Sequence, residues 1–537
     1  MRTEILDTTL RDGAQSAGIG FCEKDKLQII CALDALGVPF IEAGNFAIDD
    51  DMKIFASFES LKLENSNIVA FGSTCKAGST PKDDPYLTQI INTPVKYVSI
   101  VGKAHLTQVK EILCTTPDEN IRIIKETVKF LTDNGKSVFF DAEHFFDGYN
   151  FDKEYALKVL DAAQNAGASR LILCDTNGGM LPRTIGKIVS EVAESFPRAK
   201  IGIHCHNDIG LAVACSLEAV LSGACHVQAT VSGIGERCGN ANLNTLIPLL
   251  QMELARDCID PDNLKILTPT ARYINEIANR QFDESEPFVG GSAFTHKAGM
   301  HIDAVSKTPR SFEHIDPLSI GNTRNFVVSS LAGRSAIYNI MKHMMPGLTK
   351  DDPIVASALT RIKTLESEGF RFENADASLY LRLLETAGLE HTFFSLKYFR
   401  IISSDSQNEK AYSNENASAS ALIRIAVGDS EEIFADEGEG PVNAIDRALR
   451  KALTYFYPEI SNIKFCDFKM RVLGSNGDSS SKVIFHIATT DGKRVWQTAG
   501  VSTDVVNAAW QAIRDSLVYY LEKMHEGKCD ISHSLTV

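Results

Sequence analysis

Two histidines separated by one residue, His204 and His206, close a short apolar run that is typical of a buried β-strand. Residues i and i+2 of a strand point to the same side, so the two imidazoles should converge on one point. Asp12 follows the first apolar run of the chain and could bring a carboxylate to the same place. A carboxylate and two imidazoles can hold a divalent metal while leaving positions open for a substrate.

Asn240 would complete a candidate ligand set of oxygen and nitrogen atoms without a thiolate. Such a set suits six-coordinate Mg²⁺, Mn²⁺ or Zn²⁺, and the choice among the three stays open. A single buried histidine is more often a satisfied core residue than a ligand. Two histidines on one strand face, followed by Asn-Asp, favour metal binding or catalysis.

Further polar residues follow apolar runs in the same way. Arg11, next to Asp12, could be half of a surface ion pair, but beside a metal ligand it is better interpreted as an oxyanion stabiliser. Glu143 could be an acid at a helix N-terminus, but its place at a predicted strand end favours the active site. For Glu236 and Arg237, a structural pair that holds the glycine-rich loop is about as plausible as a catalytic role.

The repeating pattern of the first 250 or so residues predicts how these side chains are positioned. Eight β-rich runs each end in a polar cluster, and amphipathic helical segments lie between them. The runs are continuously apolar, as expected of parallel strands buried on both faces. We therefore predict an α/β fold with a catalytic (β/α)8 barrel over residues 1–260, whose strand ends carry the site. A doubly wound open sheet is the weaker alternative, because no Gly-x-Gly-x-x-Gly follows the first run.

The rest of the chain predicts two further domains. Residues 261–390 are mainly helical in pattern and include a Gly-rich stretch, 290–301, that could reach over the barrel mouth. Residues 391–537 show a βββα pattern twice, with a flexible hairpin loop predicted over 403–418. A duplication without a catalytic cluster indicates a ligand-sensing or dimerising module. Its candidate ligand loop, where backbone N–H groups could receive a carboxylate, contains Gly438, Gly440, Pro441 and Asn443.

Composition limits the partners. The chain has a net charge of -15, which argues against nucleic acid or an anionic membrane as the main partner. It contains no apolar run of membrane-spanning length and no visible export signal, so we expect a cytoplasmic protein that binds small molecules. Its 12 cysteines include no Cys-x-x-Cys pair and are interpreted as reduced thiols, mostly buried.

Several motifs resemble one family of acetyl-CoA-dependent enzymes. The segments 6–15, 204–208 and 233–243 are similar to the 2-isopropylmalate, homocitrate and citramalate synthases, whose barrel binds a divalent metal. The segments 140–149, 174–179 and 294–317 resemble the citramalate synthase branch in particular. The similarity covers the whole chain, including a C-terminal module that carries feedback inhibition in this family.

The resemblance implies a role for each candidate residue. Arg11 would stabilise the enolate and keto oxygen, and His301 would be the base, often contributed across a dimer. The remaining assignments are metal ligation by Asp12, His204, His206 and Asn240, and organisation of the 2-oxo acid and acetyl-CoA by Asp141, Glu143 and Thr176. The chain departs from the family at Phe312, where relatives usually have a tyrosine, so the hydroxyl of that residue is lost.

The leading hypothesis is a homodimeric acyltransferase that makes (R)-citramalate from pyruvate and acetyl-CoA for isoleucine synthesis, with isoleucine as effector. The alternative within the family is 2-isopropylmalate synthase, which acts on 2-oxoisovalerate for leucine synthesis. A carbon–carbon lyase is disfavoured by the duplicated module. A catalytically lapsed homologue, suggested by Phe312, is disfavoured because Asp12, His204, His206, Arg11 and Glu143 are all present.

Overall fold

The computed structural model describes residues 2–296, 301, 304–305, 307–326, 333–404, 418–473, 481–492 and 494–533. The chain divides into two compact units. Unit 1 comprises Met1–Phe294 and His314–Arg324, and unit 2 comprises Thr295–Glu313 and Asn325–Val537. This division into two units does not test the predicted domain boundaries at residues 260 and 390. The three-domain organisation therefore stays a prediction.

Unit 1 contains a closed barrel of eight parallel strands, which confirms the predicted fold class. Neighbouring strands pair in chain order, and β1 pairs with β8 to close the sheet. All eight predicted runs are strands. They are β1 Glu4–Asp7, β2 Phe40–Asn45, β3 Asn67–Ser73, β4 Tyr97–Lys103, β5 Ser137–Glu143, β6 Arg170–Asp175, β7 Ile201–Cys205 and β8 His226–Ala229.

Ten α-helices of unit 1 lie among the described residues. The sequence predicts helical segments at 23–36, 118–133, 152–166, 183–195 and 210–221, and each coincides with one of these helices to within two residues at either end. The ten are α1 Glu23–Leu36, α2 Asp49–Ser57, α3 Pro85–Ile91, α4 Pro117–Asp133, α5 Phe145–Phe151, α6 Lys153–Asn165, α7 Pro182–Ser195, α8 Ala212–Leu221, α9 Leu243–Pro248 and α10 Leu267–Ile277.

The helix ends follow from local sequence. The hydroxyl of Thr116 accepts a hydrogen bond from the Glu119 N–H at 3.2 Å, and Pro117 takes the first position of α4, where no N–H is needed. Helix α1 ends at Gly37, whose φ of 89° is a left-handed conformation that glycine adopts without steric cost. These caps fix the helices that pack around the strands and so position the strand ends.

The described residues of unit 2 before residue 390 include the helices α11 Arg334–Met341, α12 Pro353–Glu368 and α13 Asp376–Ala387, and the two-residue strands β9 Thr295–His296 and β10 Asn325–Phe326. Two three-stranded antiparallel sheets follow, each with a helix after it, as the duplicated pattern predicts. The first is β11 Ser395–Ser404, β12 Ser418–Val427 and β13 Ser430–Gly438 with α14 Pro441–Phe456. The second is β14 Lys464–Leu473, β15 Lys482–Thr490 and β16 Val495–Ser502 with α15 Val505–His533.

Both βββα copies contribute to one apolar core. Ile423 and Leu449 from the first copy and Phe485 and Ile513 from the second are almost fully buried in it. The predicted hairpin loop over 403–418 lies almost entirely outside the described residues. Among the described residues, no helix combines the length and apolarity that a membrane crossing requires.

Gly148 of α5 provides a test of how tightly the strand-end loops pack. A Cβ atom at this position would lie 2.3 Å from the Ala104 carbonyl oxygen, a backbone atom that cannot rotate away. We expect Gly148→Ala to lower the free energy of unfolding by about 1–3 kcal/mol, because overpacking forces the backbone to shift. Gly179→Ala is the matched control, since a Cβ there meets nothing within 4 Å. Thermal unfolding of both variants measures the difference, and equal midpoints would contradict the close approach.

Candidate active site

A cavity of about 270 Å³ opens where the barrel strands end. Its wall contains most of the residues predicted for the site: Arg11, Asp12, Asp141, Glu143, Thr176, His204 and His206. They come from the ends of β1, β5, β6 and β7 or the loops that follow. Since active sites of (β/α)8 barrels lie at this face, the cavity is the candidate active site.

Asp12, His204 and His206 converge as the His-x-His spacing predicts. One ligand atom from each lies within 4.8 Å of the others, and all three residues are buried. The His204 Nε2 atom is 3.3 Å from the Asp12 carboxylate and 3.3 Å from the His206 Nε2 atom. Among the described residues this is the only cluster of histidine, cysteine and acidic groups with metal-binding spacing.

The charge states of the three residues suit a cation. Burial lowers the pKa of His204 to about 4 and also lowers the pKa of His206, so both imidazoles are neutral near pH 7 and offer lone pairs. Burial works against ionisation of Asp12, but the Arg11 guanidinium and the imidazoles outweigh it and hold its pKa below the ordinary value. The site therefore presents one negative charge and two neutral nitrogen donors.

Asn240 lies in the glycine-rich loop after β8 and is 2 % exposed. Both atoms of its side-chain amide are buried without a hydrogen-bond partner among the described residues. A buried amide without partners is costly unless something else satisfies it. A bound cation would satisfy the amide oxygen, which fits the predicted fourth position. Water or the Asp12 carboxylate, whose pKa the Asn240 amide helps to lower, would satisfy the NH2 group.

The loop that carries Arg11 and Asp12 is held by an Asx turn. Asp7 accepts hydrogen bonds from the Thr9 N–H at 3.0 Å and the Thr9 hydroxyl at 2.8 Å. The Thr9 hydroxyl in turn accepts a hydrogen bond from the Val231 N–H at 2.9 Å, which ties the loop to the segment after β8. Burial raises the pKa of Asp7 to about 7, which shows that its charged form is costly here. We therefore interpret this carboxyl as a structural residue that orders the loop.

Arg11 is fixed on three sides. Its Nε donates to Glu42 at 2.6 Å, its guanidinium lies 3.9 Å from the centre of the Phe71 ring, and its Nη2 is 3.6 Å from Asp12. Burial opposes its charge, but the carboxylates of Glu42 and Asp12 outweigh this and raise the pKa of Arg11. A permanently charged guanidinium, held in place beside Asp12, His204 and His206, is suited to stabilising a developing oxyanion.

Glu143 and Thr176 lie on the other side of the cavity. Glu143 forms an ion pair with Lys103 from the end of β4. The Thr176 hydroxyl accepts a hydrogen bond from the His144 N–H at 2.8 Å, and His144 has a left-handed φ of 57° that turns the chain into α5. Among the described residues no protein group accepts the Thr176 hydroxyl proton, so it can be donated to a ligand.

Arg237 has the structural role that the sequence left open. It donates from Nε and Nη2 to both carboxylate oxygens of Asp208, each at 2.8 Å, and from Nη2 to the Thr176 carbonyl at 2.8 Å. This bidentate pair links the loops after β6, β7 and β8. Glu236 lines the cavity, where its carboxylate is 3.7 Å from the same guanidinium.

Sequence reasoning missed four residues that support the site: Glu42, Phe71, Lys103 and Gln228. Glu42 and Gln228 are polar residues within apolar strands, a signal that could have marked them, since a side chain there must face the barrel interior or a neighbouring helix. Nothing in the sequence distinguishes Phe71 or Lys103 from other strand residues.

The other predicted site residues lie in unit 2. The His301 ring stacks on Phe312, with centroids 4.2 Å apart. Residues 297–300, next to His301, lie outside the described residues. Gly440 is the N-cap of α14, Pro441 is its first residue, and the Asn443 side-chain oxygen accepts a hydrogen bond from the Glu439 N–H at 3.2 Å. A Cβ at Gly438 would lie 2.5 Å from the Ala444 nitrogen, so this turn requires glycine.

Three family models match successive parts of the chain. Residues 2–268 match the HMGL-like family, residues 288–369 match the homocitrate synthase post-HMGL domain-like family, and residues 373–521 match the LeuA allosteric (dimerisation) domain. The barrel, the helical segment and the duplicated module therefore each have a counterpart in known enzymes.

Curated relatives match along nearly the whole chain. The (R)-citramalate synthase of Aquifex aeolicus is 43% identical over 97% of this chain and 98% of its own. The (R)-citramalate synthase of Geobacter sulfurreducens is 40% identical over 97% of this chain and 98% of its own. A 2-isopropylmalate synthase from Pseudoalteromonas atlantica is more distant, at 28% identity over 98% of this chain and 96% of its own.

The geometry predicts that His206 is needed for metal binding. We expect His206→Ala to weaken binding of Mn²⁺ strongly and to cost at least about 100-fold in turnover, since it removes one of three clustered ligands. His343→Ala, at an exposed histidine, is the matched control and should change neither. Calorimetric titration with Mn²⁺ measures the first effect. Unchanged affinity in His206→Ala, or full activity after exhaustive chelation, would contradict the assignment.

Proposed function

Because the chain belongs to the (R)-citramalate synthase family, we propose that it condenses acetyl-CoA with pyruvate to give (R)-citramalate and CoA. The observation that carries this proposal is the buried cluster of Asp12, His204 and His206 beside Arg11 in the barrel cavity. It supplies what addition to a ketone requires, a cation site next to a fixed positive charge. The closer identity to (R)-citramalate synthases than to the 2-isopropylmalate synthase favours pyruvate over 2-oxoisovalerate.

The proposed cofactor is a divalent metal, Mg²⁺, Mn²⁺ or Zn²⁺. Asp12, His204 and His206 would hold it, with Asn240 as a fourth or water-mediated group. When bound, it would polarise the ketone of the 2-oxo acid as a Lewis acid. The protein itself contributes the cavity and the polar side chains that orient the acid within it.

Two residues are suited to binding the 2-oxo acid. Arg11 is held by Glu42 and Phe71 beside Asp12, so its charge would stabilise the negative charge that develops as the ketone oxygen becomes an alkoxide. Thr176 has a hydroxyl proton to donate, which suits the carboxylate of the acid. Asp141 was predicted to bind substrate as well. Both of its oxygens already accept hydrogen bonds from Ser99 and Gln228, so a supporting role fits its surroundings better.

Carbon–carbon bond formation needs a base for the methyl group of acetyl-CoA, whose thioester makes the proton acidic. We assign this role to His301, since histidine is the side chain that most often acts as a general base. Its stacking on Phe312 orients the ring without the hydroxyl that relatives have at that position. Glu143, paired with Lys103, is the second candidate. The resulting carbanion adds to the ketone carbon, and water then cleaves the thioester to release CoA.

The C-terminal module is proposed to bind isoleucine and to form a homodimer. The turn Gly438–Pro441 leads into α14, where the Val442 and Asn443 N–H groups, which donate to no protein group among the described residues, can receive the amino-acid carboxylate. Phe468, Met470 and Val472 alternate along β14 on one face and are 67%, 53% and 54% exposed. An apolar stripe of this kind is typical of a surface that a second copy covers, and the LeuA (dimerisation) match supports it. A cytoplasmic location stays a prediction.

The decisive experiment is a free-thiol assay of CoA release with pyruvate, 2-oxobutyrate and 2-oxoisovalerate. We expect the highest kcat/KM for pyruvate. Each added methylene should cost about 1–3 kcal/mol, or roughly 10- to 200-fold, because the cavity wall must accommodate it. A reaction without any 2-oxo acid is the control for simple thioester hydrolysis. A higher kcat/KM for 2-oxoisovalerate would reassign the enzyme to 2-isopropylmalate synthesis, and no release above the control would reject the condensation.

Feedback is tested by titrating turnover with isoleucine. We expect inhibition of the intact enzyme and a clear loss of that inhibition in Asn443→Ala, because its side chain orders the turn before α14. Asp429→Ala, at the exposed turn between β12 and β13, is the matched control and should remain inhibited. If neither isoleucine nor leucine changes turnover at millimolar concentration, the sensing role is wrong and only dimerisation is left for this module.

A further inference from the structure

A chain of hydrogen bonds crosses the barrel interior and ends at His204, one of the three candidate metal ligands. The Ser99 hydroxyl of β4 donates to one oxygen of Asp141 at 2.7 Å, and the Gln228 amide nitrogen donates to the other at 2.9 Å. The Gln228 amide oxygen then lies 2.8 Å from the Nδ1 atom of His204. All four residues are buried. Since β5 and β8 are not neighbours in the sheet, the link from Asp141 to Gln228 spans the barrel.

Donor and acceptor chemistry fixes the direction of this chain. In its ionised form the carboxylate of Asp141 can only accept, so the Gln228 side chain presents its NH2 group to Asp141, as the 2.9 Å contact from the amide nitrogen records. Burial raises the pKa of Asp141 to about 7, so the measurements below are made at pH 8 or above, where this carboxyl is ionised. The Gln228 carbonyl oxygen is then the atom that faces His204. A carbonyl oxygen has no proton to give, so the short contact requires that His204 carry its proton on Nδ1.

The opposite ring nitrogen of His204 is thereby left with a lone pair. This atom, Nε2, is the one that lies 3.3 Å from Asp12 and 3.3 Å from the Nε2 atom of His206. We propose that Gln228, held by Asp141 and Ser99, is a positioning residue that fixes the tautomer and ring orientation of His204 for a divalent cation. The proposal rests on the metal site of the proposed function.

His206 provides an internal contrast. Its Nδ1 atom is buried without a hydrogen-bond partner among the described residues. Within the described part of the chain, a barrel side chain therefore orients the ring of His204 but not that of His206. Outer partners of this kind usually change metal affinity by about 10- to 100-fold when they are removed.

Three variants separate this role from simple packing. Gln228→Leu keeps most of the side-chain volume but removes both hydrogen bonds. Gln228→Glu still accepts from His204 but places a second carboxylate against Asp141. The double variant Gln228→Glu/Asp141→Asn restores the polarity, because the new asparagine can donate to the new glutamate and accept from Ser99, and the total charge is unchanged.

The first measurement uses the metal-free protein. In a sample labelled with ¹⁵N-histidine, the His204 resonances, assigned with a His204→Ala variant, should show protonation on Nδ1 in the wild type and in the double variant. Gln228→Leu should show a tautomeric mixture or the Nε2-protonated form. Thermal unfolding midpoints report whether each variant is folded, and the double variant keeps the test valid if Gln228→Leu is not.

The second measurement is the affinity for Mn²⁺ by calorimetry. We expect Gln228→Leu to bind about 10- to 100-fold more weakly. Gln228→Glu and the double variant keep an acceptor for the Nδ1 proton of His204 and should bind close to the wild type. Wild-type affinity in Gln228→Leu, or a wild-type His204 protonated on Nε2, would overturn the proposal. If the wild type binds no Mn²⁺, Mg²⁺ or Zn²⁺ but keeps the Nδ1 proton, the metal site of the proposed function fails while the positioning of His204 by Gln228 stands.

Discussion

Three metal-binding groups within 4.8 Å of one another in a buried cavity are the constraint on which the site depends. Burial removes hydration from the carboxylate and from the two imidazoles. It also lowers the pKa values of both imidazoles, so near pH 7 neither carries a positive charge that would offset the negative charge of Asp12. The ends of β1 and β7 hold Asp12 beside His204 and His206. The apolar core of the barrel supplies the stability that this arrangement costs. One negative charge and two neutral nitrogen donors at this spacing could hold a cation.

The surrounding residues keep each member of the cluster in place. Asp7 and Thr9 order the loop that carries Asp12, Glu42 and Phe71 immobilise Arg11, and Arg237 ties the loops after β6, β7 and β8 together. The contacts of Asp7, Thr9 and Glu42 are buried or partly buried, so they give geometric precision at a cost in desolvation, whereas the Arg237 contacts are exposed. Such rigidity suits a reaction in which charge develops on one substrate oxygen.

The barrel and the duplicated module could be predicted because each depends on short-range periodicity, and the candidate metal triad because its members follow apolar runs. Continuous apolar runs give parallel strands, and the spacing of His204 and His206 places both on one strand face. The supports of the site could not be predicted in this way. Gln228 and Asp141 meet across the barrel interior, and Lys103 meets Glu143 only because β4 and β5 are neighbours. Those contacts depend on the register and closure of the sheet, which a local pattern does not contain.

The central claim is that Asp12, His204 and His206 together hold a divalent metal. Anomalous diffraction from crystals grown with Mn²⁺ and pyruvate tests it most directly. We expect a single strong anomalous peak in the barrel cavity, within about 2.0–2.3 Å of one oxygen of Asp12 and one nitrogen of each histidine, the range for these ligand types. A peak elsewhere, or a cavity in which these three side chains close on one another without a metal at saturating Mn²⁺, would contradict the account.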